Sequence, residues 1–106
     1  MQYLTLPNLI NNSDTRISYT INNQSYMFHF HWCGTFCLLD IYIIRDNENI
    51  YLVKGRAITI NNDIIARVKN SDLITGSLLF INRYGYNIEP SQDNFHTDFY
   101  LVYQVD

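Results

Sequence analysis

The chain has 106 residues, of which 47% are apolar, 15% aromatic and only 16% charged, and its net charge is −3. That length supports one domain with one core, predicted to span residues 1–106. The seven basic residues are scattered almost singly, which leaves out the basic face that nucleic-acid binding needs. No apolar run approaches the roughly 18 residues of a spanning helix. The opening Met1-Gln2-Tyr3-Leu4-Thr5-Leu6-Pro7 has neither the basic region nor the apolar stretch of a secretory signal.

Residues 1–8 read as a short extended arm ended by Pro7 and Asn8, and residues 9–15 as a loop. Arg16 to Asn22 alternates, with Ile17, Tyr19 and Ile21 on one face. Asn22-Asn23 turns the chain, because Asn tolerates the left-handed backbone of a tight hairpin. Ser25 to Cys33 follows as the most informative stretch. Tyr26, Phe28, Phe30 and Trp32 fall on one side of an extended chain, with Met27, His29, His31 and Cys33 on the other. Successive strand side chains point to opposite faces, so four rings at a spacing of two describe a strand with one heavily buried face.

Gly34 breaks the pattern. Thr35 to Arg45 is apolar on both faces, as in a central strand, with Asp40 set among Phe36, Leu38, Tyr42 and Ile44. Asp46 to Asn49 turns, and Ile50 to Lys54 returns as the partner strand. Gly55 marks a bulge, Arg56 to Ile60 a short strand, Asn61 to Asp63 a turn, and Ile64 to Val68 another strand. Lys69 to Gly76 is a polar loop, Ser77 to Arg83 a strand, Tyr84 to Thr97 the longest polar segment, and Asp98 to Val105 the last strand. The fold expected is all-β, a compact antiparallel barrel or sandwich of about seven or eight short strands.

Candidate chemistry is sparse. His29 and His31 share a strand face, a spacing compatible with two metal ligands, and His96 in the polar loop is a third candidate. No Asp or Glu in that strand completes a set, so the same face reads equally as one filled by large amphipathic rings. Cys33 and Cys37 sit across Gly34, within disulfide reach if the chain turns there, but two free thiols are expected. No electropositive setting marks either as a nucleophile for a Cys–His pair. Asp40 in an apolar strand needs a partner, for which Arg56 or Arg67 is at hand. There is no phosphate-binding glycine loop, nucleophile elbow or paired zinc motif. Neither a catalytic residue nor a cofactor is expected.

Low charge with abundant Asn and Tyr describes a surface that meets partners, since interfaces favour Tyr and deplete Lys and Glu. An AT-rich genome would inflate Asn, Ile and Tyr to the same effect. The interface candidates are Trp32, the cations Lys54, Arg56 and Arg67, and the Tyr84 and Tyr86 pair. Lys54 and Arg56 share strand parity and could form a small basic spot.

Read together, the hairpins show an order: the Tyr3-Leu4-Thr5-Leu6-Pro7 start, the aromatic strand from Tyr26 to Trp32, and Leu38-Leu39-Asp40-Ile41-Tyr42. Leu52-Val53-Lys54-Gly55-Arg56-Ala57-Ile58 and Asn62-Asp63-Ile64-Ile65-Ala66-Arg67 come next. Gly76-Ser77-Leu78-Leu79-Phe80 and Phe99-Tyr100-Leu101-Val102-Tyr103 complete it. This order resembles the phage baseplate plug family of contractile-tailed phages over nearly the whole chain. The resemblance implies a structural virion protein, assembled in the host cytoplasm and placed in the tail baseplate. Several copies would fill space between hub, spike and tail tube, with no catalysis. Two other readings stay open: a small binding module for a host protein or a carbohydrate, using Trp32 or the Tyr84–Tyr86 loop, and a metal-dependent enzyme built on His29, His31 and His96.

Overall fold

The two-residue periodicity appears as seven strands in the computed structural model, which describes residues 1–66 and 74–105. They are β1 (Gln2–Leu4), β2 (Asp14–Ile21), β3 (Gln24–Cys33), β4 (Phe36–Arg45), β5 (Glu48–Ala57), β6 (Ser77–Asn82) and β7 (Phe99–Gln104). Every ladder is antiparallel. Strands β2-β3-β4-β5 form one meandering sheet, and β1-β7-β6 form the second. Each sheet keeps two edges, so the fold is an all-β sandwich and the barrel alternative is set aside.

The hairpins follow from turn chemistry. Asn22 and Asn23 lie at φ 51° and 65°, Asp46 and Asn47 at 54° and 63°. Two consecutive left-handed residues make the hairpin turn whose twist matches its flanking strands, and Asn and Asp accept that backbone. The second turn is tighter than expected, since Glu48 and Asn49 already belong to β5.

Two expected strands are corrected. Arg56 to Ile60 is no separate element: β5 runs through Gly55 to Ala57. Between the Leu39↔Arg56 and Ile41↔Val53 pairs, Asp40 alone faces both Lys54 and Gly55, which is a bulge. Ile64 to Ala66 form turns after an isolated bridge from Asp63 to Leu79. Asp63 explains this. Its carboxylate accepts the Ile65 and Leu78 N–H groups at 3.1 and 2.9 Å, so the chain curls instead of extending. The rest of that expected strand, the loop from Lys69 to Ser71 and beyond to Leu73, and Arg67 itself lie outside the described residues.

The core lies between the sheets. Tyr26, Phe28, Phe30 and Trp32 are all buried, as the alternation demanded, and β4 adds Cys37, Leu39, Ile41 and Ile43. From the other sheet come Leu78, Phe80, Phe99, Leu101 and Tyr103. The two halves meet on Phe95, a loop residue that is fully buried. Its ring stacks on Phe80 at 5.3 Å and meets Phe30 and Trp32 edge-on at 5.9 and 6.3 Å. Phe80 in turn stacks on Phe99 at 4.8 Å. Leu9, from the loop before β2, is also fully buried.

Candidate functional site

The most exposed apolar side chains in close sequence are Tyr84, Tyr86 and Ile88, at 59%, 61% and 59% exposure. They stand on the loop after β6, and the loop is held in place locally. The Asn82 side-chain oxygen accepts the Tyr84 and Tyr86 N–H groups at 2.8 and 3.3 Å, and its carbonyl accepts the Gly85 N–H at 3.2 Å. The Arg83 N–H donates to the Asp98 carbonyl at 2.7 Å. The two tyrosine rings therefore sit 6.1 Å apart on a fixed turn. The Arg83 guanidinium lies 4.6 Å over the Tyr100 ring, and Tyr100 meets Tyr3 edge-on at 5.2 Å. An aromatic strip with one cation thus runs from the loop across the outer side of the three-stranded sheet.

The other interface candidates divide. Trp32 is buried against Phe95 and its indole N–H donates to the Gly34 carbonyl at 2.9 Å, so its ring belongs to the core. Lys54 is exposed, with its ammonium 4.9 Å over the Tyr51 ring. Arg56 donates to the Asp63 carbonyl at 3.3 Å. The two cations therefore have different partners, one an aromatic ring and the other a backbone carbonyl.

The histidines also separate. His29 and His31 share a cleft with Asp14, Leu38, Asp40 and Gly55 on the outer face of the four-stranded sheet. His96 lines a different cleft, with Arg83, Tyr3 and Tyr100. Among the described residues no group of three or more His, Cys, Asp or Glu is arranged to hold a metal. Instead the His29 ring lies between two carboxylates. Nε2 contacts Asp14 Oδ1, and Nδ1 is 3.4 Å from Asp40 Oδ2. The bond from His29, more than any other influence, holds the Asp14 carboxyl below its usual range. Asp40 takes its second partner from the backbone, accepting the Gly55 N–H at 2.5 Å. Of the two expected arginines, Arg56 instead donates to the Asp63 carbonyl, and Arg67 lies outside the described residues. Sequence reading missed Asp14 because it fell in the loop before the alternation. Extending that alternation back from Arg16 by one step of two would have put Asp14 on the histidine side.

The cysteines lie on opposite faces of their hairpin, Cys33 exposed and Cys37 fully buried, and both are free. Burial pushes the Cys37 thiol up to about 12. Buried there, it stays a neutral thiol near neutral pH. Titration of the native protein with an aromatic disulfide reagent should modify Cys33 quickly and Cys37 only after unfolding; equal native rates would contradict this placement.

A two-layer β-sandwich with aromatic side chains on its loop and outer faces has the make-up of a protein that packs against others. The family comparison agrees. The model described as cyanophage baseplate Pam3 plug gp18 matches residues 1–106, and the chain belongs to this baseplate plug family. It is a structural component of a phage baseplate, carried in the tail of the virion and interacting there with other baseplate components. The search of curated proteins gives no match. Among the described residues no helix is long and apolar enough to cross a membrane.

Proposed function

We propose that this chain packs between the central hub and spike and the tail tube, in several copies, and that the Tyr84–Tyr86 loop is its principal docking element. The observation that carries this reading is the ordered exposure of Tyr84, Tyr86 and Ile88. Large rings fixed before binding lose little conformational freedom on docking, which is why Tyr recurs at interface hot spots. The strip through Arg83, Tyr100 and Tyr3 widens that surface.

Open strand edges supply the second mode of contact. The outer edge of β6 is covered: Asn61 and Ile64 N–H groups donate to the Phe80 and Leu78 carbonyls at 2.9 and 2.8 Å. Strand β5, ten residues long, lacks such a cover among the described residues. Its free backbone groups can pair with a neighbour, and the Gly55 bulge and Lys54 limit pairing with the wrong one. The carbohydrate alternative loses its best ring, because Trp32 is in the core.

The test is co-expression with the hub and tail-tube proteins of the same phage. Tyr84→Ser with Tyr86→Ser should reduce co-purification about tenfold or more while the circular dichroism spectrum stays that of the parent. Undiminished capture of the double variant would remove the loop from the interface.

A further inference from the structure

We propose that His29 is a proton-operated clasp: its doubly protonated ring fastens Asp14 on edge strand β2 to Asp40 on β4, and loss of one proton loosens the Asp14 end of β2. The geometry asks for two donors. His29 Nε2 contacts Asp14 Oδ1, and Nδ1 lies 3.4 Å from Asp40 Oδ2. A neutral imidazole has one N–H and one lone pair, so it must turn the lone pair toward one of these carboxylates. The imidazolium donates to Asp14 and faces Asp40 with a charged N–H, as an ion pair at 3.4 Å. Asp40 cannot swing away to relieve the mismatch, because its other oxygen accepts the Gly55 N–H at 2.5 Å. The resulting chain Asp14–His29–Asp40–Gly55 crosses all four strands of the sheet.

The charged groups facing His29 come from each neighbouring strand. Strand β2 contributes Asp14 and Arg16, the latter opposite His29 in register. Strand β3 contributes His31, whose Nδ1 is 3.5 Å from Asp14 Oδ2. Strand β4 contributes Asp40. From β5, Lys54 flanks Gly55, but its ammonium is drawn over Tyr51. The depressed Asp14 carboxyl fits the same bond. The clasp needs both carboxylates ionised and the ring charged. It therefore opens as Asp14 protonates, below the usual carboxylate range because the His29 bond lowers that carboxyl, and opens again when the ring gives up one proton.

Opening affects one place. Among the described residues strand β2 pairs in its sheet with β3 alone, and beyond Asp14 one backbone bond continues the pairing, from the Trp32 N–H to the Ser13 carbonyl at 2.7 Å. Releasing Asp14 bares the β3 edge around His31 and Trp32.

The experiment compares thermal melts of the full chain and of His29→Gln at about pH 5.5 and about pH 8. The wild type should exceed the variant by about 3 °C or more at the lower pH, and this margin should shrink at the higher one. His31→Gln, which removes a single longer contact, should keep the wild-type profile. Should His29→Gln not fold, nitrogen-15 spectra of the wild-type imidazoles decide alone. Two N–H groups on His29 at the lower pH, with exchange of the first β2 amides about tenfold faster than the intrinsic pH effect at the higher, support the clasp. A singly protonated ring at the lower pH, or parallel melting profiles, overturn it.

Discussion

Phe95→Ala should lower the unfolding free energy by about 3–5 kcal/mol, the cost of removing a large ring from a close-packed interior. Phe95 is fully buried although it belongs to a connecting loop. Its ring touches Phe30 and Trp32 from one sheet and Phe80 from the other. The void left by alanine would open between the two layers, beside the rings of Phe30, Trp32 and Phe80. A domain of this size is stable by roughly 5–15 kcal/mol, so the variant should sit near the limit of folding. Urea titration followed by circular dichroism measures the loss, and Phe95→Leu, which fills most of the space, should recover more than half of it. Tyr84→Ala, equally aromatic but exposed, should change stability by less than about 0.5 kcal/mol. A Phe95→Ala variant as stable as Tyr84→Ala would mean that the loop does not hold the layers together.

Phe95 also shows where the sequence stops being readable. The strand from Tyr26 to Trp32 was legible because burial on one face of a sheet repeats every two residues, and all four rings are buried as that period requires. Phe95 stands alone among Ser, Gln, Asp, Asn, His and Thr, and a single apolar residue has no period. Leu9 escaped too, because the isolated Leu9-Ile10 pair shows no period that says which of the two is buried. The central place of β4 was legible from its two apolar faces: Tyr42 is buried on the outer side while Ile41 and Ile43 fill the inner. The end of β5 was half legible. Gly55 announced a bulge, but not that Asp40 would cap its amide and let the strand continue to Ala57. Ile64 to Ala66 misled because β-branched residues suit a strand, whereas the Asp63 carboxylate draws the following backbone into turns. The plug assignment was legible through the order of the hairpins taken together, whereas single residues said little. Trp32 illustrates this, since its parity placed it with the buried rings and its composition class placed it at an interface.

Gly76→Ala should be as damaging as the loss of Phe95, by a different route. Gly76 precedes β6 at φ +89°, beyond the compact left-handed region that even Asn enters readily. A Cβ there would lie 2.3 Å from the Gln104 carbonyl oxygen and 3.0 Å from the Tyr103 hydroxyl. Neither neighbour can retreat cheaply. Gln104 is paired with Ser77 at the end of the β6–β7 ladder. The Tyr103 hydroxyl donates to the Thr75 carbonyl at 2.5 Å and accepts the Asn22 side-chain amide at 3.1 Å, which ties the last strand to the first hairpin. Backbone strain and steric overlap each cost about 1–3 kcal/mol, so the sum is roughly 2–6 kcal/mol. Gly34→Ala separates the two effects. Its φ is +69° and a Cβ there meets nothing within 4 Å, so only the backbone penalty of about 1 kcal/mol remains. Parallel denaturant titrations should therefore place Gly76→Ala well below Gly34→Ala. Equal losses would show that the junction between Gly76 and β7 yields without resistance, and that the close approach of the two chains there does not help to seat β6.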